Sequence, residues 1–123
     1  MHSNPRDLAD RLIDFSADVI RLVEALPDTM PGRKISDQLI RSVMSVGANY
    51  EEARGADSRA DFSHKLQIAL KEMRESRYWL CLIAKLDLKP GPNIHKLVDE
   101  ATQLRATLAK SVATSRGKAK PAL

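Results

Sequence analysis

The apolar residues of this chain recur at helical spacing, and that spacing narrows the folds open to it. Leu8, Leu12, Phe15, Val19, Leu22 and Leu26 follow one another at intervals of 4, 3, 4, 3 and 4. These intervals lay six side chains along one face of an α-helix. A second seam runs through Ile35, Leu39, Val43, Val46, Tyr50 and Ala53. A third runs through Phe62, Leu66, Ala69, Met73 and Leu80, interrupted by Ser76 and widened by Leu70, Cys81, Ala84 and Leu88. A fourth comprises Ile94, Leu97, Val98, Ala101, Leu104, Leu108 and Val112.

Capping and breaking residues separate the seams. Asn4 caps and Pro5 suits a first helical position, with Asp7 at the positive helix end. Pro27 and residues 28–32 form a loop, so the second helix is expected over 33–54. Gly55 is expected in the left-handed conformation after that helix. Ser58 with Asp61 forms a capping-box pattern, opening a third helix over 59–88. Lys89-Pro90-Gly91-Pro92 breaks the chain, and Asn93 caps the fourth helix. Short loops force antiparallel neighbours. The expected fold is all-α: an antiparallel up-down-up-down four-helix bundle over residues 4–114, followed by a basic tail, residues 115–123, without stable structure.

Composition removes several function classes. With 43% hydrophobic residues the chain is not disordered, and 4% aromatics with abundant Ala, Leu, Arg, Lys and Glu fits helices. One cysteine allows no intrachain disulfide and no cysteine-based zinc site. Residues 1–10 are polar and lack a signal segment, and no apolar run approaches the roughly 20 residues that span a bilayer. The expectation is a soluble, cytoplasmic protein with no membrane contact. Paired Glu-x-x-His motifs, which build metal sites in bundles, are absent; the nearest pattern is Asp61-x-x-His64, with His2 and His95 far away. Cys81 sits among apolar neighbours that disfavour a reactive thiolate. No phosphate-cradling glycine loop occurs. The chain is expected to be no enzyme and to hold no cofactor.

Charge points elsewhere. The net charge is +4, and from Arg105 onward five basic residues (Arg105, Lys110, Arg116, Lys118, Lys120) meet no acidic one. Arg54, Arg59, Lys65, Lys71, Arg74 and Arg77 gather in sequence around the helix 2–3 turn and helix 3, interleaved with Glu51, Glu52, Asp57, Asp61, Glu72 and Glu75. Basic residues of this kind contact phosphates; the bland alternative is a solvated mixed-charge face and a solubilising tail. Glu72 and Glu75 read as a solvated or ion-paired flank, with Arg74 and Arg77 adjacent. The nucleic-acid candidates are Arg54, Arg59, Lys65, Lys71, Arg116, Lys118 and Lys120. The alternative function is a scaffold that recruits another polypeptide without touching nucleic acid.

Two stripes suggest further roles. Gln38, Ser42, Ser45, Asn49 and Glu52 lie one residue before the second seam, so they flank it. They read as a hydrogen-bond network that fixes register or a subunit contact, or else as a semi-exposed flank. Ile68, Trp79, Leu82 and Leu86 fall on the side of helix 3 opposite its core seam. Two apolar sides imply two burials, the second against another chain or under a tail of the same one.

These residues also carry a resemblance. Gln38-Leu39, Arg41-Ser42, SVGANYEEARGA over residues 45–56, Asp61-Phe62, His64-Lys65-Leu66, Ile68-Ala69-Leu70-Lys71-Glu72, Glu75 and Tyr78-Trp79-Leu80 resemble the 23S rRNA intervening-sequence family. The match covers about half of the chain. The resemblance implies an antiparallel four-helix bundle and a ring-like homo-oligomer, most often a pentamer. The accessory proteins of diversity-generating retroelements are similar in fold, and those bind nucleic acid and a reverse transcriptase. RNA or DNA and a protein of that type are therefore the partners the resemblance implies.

Overall fold

The structure is a computed structural model and describes residues 5–89 and 92–117. Four helices account for nearly all of them: α1 (Pro5–Glu24), α2 (Met30–Arg54), α3 (Arg59–Leu86) and α4 (Pro92–Ser115). Among the described residues there is no strand, and no helix is long and apolar enough to cross a membrane.

The α1/α2 corner is tighter than the prolines suggest. α2 begins at Met30, three residues before the expected start, because Thr29 caps it: Thr29 Oγ1 accepts the Gly32 amide at 3.2 Å. Pro31 then falls in the first turn, where its missing N–H costs no helical bond. Gly32 is buried, and a side chain there would collide with the Pro27 carbonyl oxygen. At the other end, Gly55 has φ −97°, so it is not left-handed as expected. Its amide instead closes onto the Glu51 and Glu52 carbonyls at 3.2 Å, continuing the helical turn. Ser58 caps α3 as its sequence predicts, accepting the Asp61 amide at 3.0 Å. α3 stops at Leu86, two residues short of the expected end, because Asp87 adopts the left-handed conformation with φ 53°. Leu88 N then donates to Ile83 O at 3.1 Å, a closure typical of helix C-termini.

Cross-helix contacts fix the directions. Ser42 meets Ser76 and Arg41 meets Glu72, which joins α2 to α3, and the short connection over residues 55–58 turns α3 back along α2. Arg59 and Ser63 meet Ser115 while Arg77 meets Thr102, so α3 and α4 are antiparallel too. Arg11 bonds Glu100 and ties α1 to α4. α3 packs extensively on α2 and α4; the backbone of α1 approaches α2 and α4 more sparsely and does not approach that of α3.

The four seams meet in one core. Phe15, Leu39, Leu66, Met73, Leu80, Ile83, Leu104 and Leu108 are among its fully buried side chains. Phe62 is the exception to the third seam, at 36% exposure. The first turn of α3 directs Ser63 towards α4 instead, where it bonds Ser115, and this rotation leaves Phe62 at the surface. The Ile68, Trp79, Leu82 and Leu86 stripe also divides. Trp79 and Leu82 are partly buried against the chain's own core, Ile68 is half-buried and Leu86 is exposed. Cys81 is half-buried rather than enclosed.

Candidate nucleic-acid interface

The polar stripe of α2 separates into three local arrangements. Ser42 alone is fully buried, and its hydroxyl lies 2.8 Å from that of Ser76 on α3. Each hydroxyl also reaches a carbonyl of its own helix, Leu39 O at 3.2 Å and Glu72 O at 2.9 Å. Buried hydroxyls are expensive unless paired, and this pair is closed within the α2/α3 seam. Asn49 bonds Ser45 within α2, at 2.9 Å to the carbonyl and 3.0 Å to the hydroxyl. Gln38 and Glu52 are exposed.

The carboxylates of α3 have a partner that local sequence does not suggest. Arg41 of α2 reaches Glu72 at 3.2 Å and also pairs with Glu75; neither Arg74 nor Arg77 does so. Glu75 further accepts the Trp79 indole N–H at 3.0 Å. Arg11 of α1 likewise takes Glu100 of α4, in a two-pronged contact at 3.0 and 3.2 Å. Two helices thus lend arginines that pair with three of the acids of the other two.

That leaves the cations of α3 and α4 in excess. The two helices hold nine Lys and Arg against five Asp and Glu, and three of those five are the paired Glu72, Glu75 and Glu100. The ion pairs among the described residues use Arg11, Arg21, Arg33, Arg41 and Arg54. None uses a basic residue of α3 or α4. Where the arginines of these helices and Arg116, just beyond α4, bond, they meet neutral groups. Arg77 Nε donates to Thr102 Oγ1 at 2.7 Å, Arg59 Nε to the Ser115 carbonyl at 3.2 Å, and Arg116 to Gln67 Oε1 at 3.1 Å. A neutral acceptor orients a guanidinium without cancelling its charge.

The sequence candidates sort accordingly. Arg54 is neutralised by Glu51 at 3.0 Å. Arg59 and Arg116 stand at the same end of the bundle, tied to the end of α4 and the start of α3. Lys65 is half-buried and Lys71 exposed on α3, outside that cluster. Lys118 and Lys120 lie outside the described residues. Ser115, at the first position assigned to the tail, is buried in the bundle. Arg105 groups with the tail in sequence, yet it lies on α4, one turn beyond Thr102 and therefore level with Arg74 of the antiparallel α3.

Other surfaces offer less chemistry. Among the described residues no cluster of His, Cys, Asp and Glu could hold a metal ion. A groove of about 320 Å³ between α1 and α2 is lined by Ile13, Met44, Gly47 and Ala48 among others. Tyr50 borders it; burial pushes its hydroxyl pKa up, with Arg54 opposing and Glu51 adding to the shift.

The sequence model of the 23S rRNA-intervening sequence protein family matches residues 7–110, which spans all four helices. This chain belongs to that family. A crystal structure of a protein with unknown function from the S23 ribosomal protein family of Bacteroides thetaiotaomicron is similar throughout. It shares 32% identity and a TM-score of 0.78, over 85% of this chain and 97% of that one. No curated protein matches. Membership in the 23S rRNA-intervening sequence family agrees with the four-helix architecture and extends it over helices α1 and α4, where the recognisable residues are fewest.

Proposed function

We propose that this intervening-sequence family protein is a non-enzymatic, cytoplasmic bundle that forms a ring-like homo-oligomer, a pentamer, and associates with RNA or DNA. The carrying observation is the distribution of charge: arginines of α1 and α2 pair with acids of α3 and α4, and the arginines of α3 and α4 keep their charge. Repetition around a ring multiplies each weak phosphate contact. The exposed Leu86 and half-buried Ile68 of α3 support assembly through its outer side.

Two measurements test this. Light scattering should return a mass near five times 13.7 kDa, and Leu86→Glu should lower it while helicity persists. A monomeric mass removes the ring. Fluorescent RNA and DNA should bind at low salt, with affinity falling steeply as salt rises. Absence of binding at low salt removes the nucleic-acid reading.

The α1/α2 groove, with Ile13 and Met44 exposed beside it, favours the second reading of a scaffold for another polypeptide. A partner retained through nuclease and high salt would select that reading over the first.

A further inference from the structure

We infer that the seam between α3 and α4 is a track for single-stranded nucleic acid, with arginines on the phosphates and Tyr78 as a stacking platform for a base. This deepens the nucleic-acid reading above and rests on it. The Arg77–Thr102 bond sets the register of the two antiparallel helices. Arg74 lies one turn before Arg77 and Arg105 one turn after Thr102, so the two come to the same level of the seam. Towards one end, Gln67 holds Arg116 two turns before Arg74. Towards the other, Lys85 lies two turns beyond Tyr78. Gln67, Arg74, Tyr78 and Lys85 share one helical face, and from Gln67 to Lys85 the track runs about 27 Å at helical rise.

The geometry leaves the charges available to a ligand. Arg77 spends only Nε on Thr102, so both terminal nitrogens remain for a phosphate oxygen. Arg116 spends one nitrogen on Gln67. Arg74 is exposed and without an ion pair. Glu72, Glu75 and Glu100 are held by Arg41 and Arg11 on other seams, and Asp61 sits in the first turn of α3. Asp99 is the remaining carboxylate of these two helices and gives the track one acidic edge.

Tyr78 distinguishes a strand track from a general polyanion surface. It is 58% exposed, in the middle of the cations. Trp79 braces it edge to face, with ring centroids 4.9 Å apart and planes at 73°. Trp79 is itself held by Glu75. A braced, exposed ring among arginines suits an unpaired base, whose faces a duplex would conceal.

The test uses the full chain and fluorescein-labelled 20-nucleotide probes: oligo-U RNA, oligo-dT DNA and a duplex of equal length. Single strands should bind more tightly than the duplex; RNA and DNA arms report whether the 2′-hydroxyl contributes. Arg74→Ala with Arg105→Ala should flatten the plot of log affinity against log salt by about 1.4, because two phosphates are no longer neutralised. Tyr78→Ala should weaken single-strand binding about tenfold, and Tyr78→Phe should restore it. Circular dichroism and light scattering confirm that the variants keep fold and mass. If the wild type binds and these variants bind equally well, the track is wrong while nucleic-acid association stands. Equal affinity for duplex, or equal loss with Phe and Ala at position 78, overturns the stacking role. No binding by the wild type overturns both readings.

Discussion

The two long seams of α3 are built from similar residues and have opposite electrical character. On the α2 side an arginine meets two carboxylates, and two serine hydroxyls close on each other beneath them. On the α4 side arginines meet a threonine hydroxyl, an amide oxygen and a main-chain carbonyl. The first seam pairs its charges and satisfies its buried polar groups within the chain. The second orients its arginines and leaves their charge to the surroundings. One helix can thus provide both the fixed register of a bundle and a field that extends beyond it, if its acids and bases face different neighbours.

Four substitutions break or sharpen that contrast. The largest effect belongs to Arg41→Ala. Glu72 is only 11% exposed at its side chain, so losing its partner strands a carboxylate away from water. The full penalty for a buried pair is reduced here because Arg41 itself is 48% exposed. A loss of about 2 kcal/mol in urea unfolding is expected. Should Arg41→Ala cost no more than removing Arg77, the distinction between the seams collapses. Ser42→Ala and Ser76→Ala should each cost about 1 kcal/mol, with the double variant costing less than their sum. Strict additivity would separate the two hydroxyls energetically. Smallest is Arg77→Ala, at about 0.5 kcal/mol. Its cost should shrink further at low salt, where losing a like charge near Arg74 and Arg105 offsets the lost Thr102 bond.

Helical periodicity reveals which side of each helix is apolar, and nearly every seam residue from Leu8 to Val112 is buried on that basis. It does not reveal which neighbour a polar residue meets. Glu72 lies two positions from Arg74 in sequence and thirty-one from Arg41, yet it bonds Arg41. Adjacent residues on a helix point about 100° apart per step, so closeness in sequence misleads. Arg105 poses the same problem in reverse: its company is decided by the register of α4 on α3. Ser63 and Ser115 carry no sequence sign of their contact, since serines at helix ends ordinarily read as caps. Backbone detail is equally hidden. Thr29 caps α2 ahead of a proline and a glycine that read as loop, while Asp87 takes the left-handed position expected of Gly55.

The sparse contacts of α1 bear on how the molecule opens. The backbone of this helix approaches those of α2 and α4 alone, with Arg11 to Glu100 as its ion pair across helices. Lifting it away leaves the α2/α3 and α3/α4 contacts intact. Reversible detachment of α1 is therefore the cheapest large opening, and its amides should exchange with solvent before those of α3. Each such event uncovers the apolar row from Leu8 to Leu22 and the facing side of α2, making the α1/α2 corner the point where proteolysis or trapping of an open form would begin.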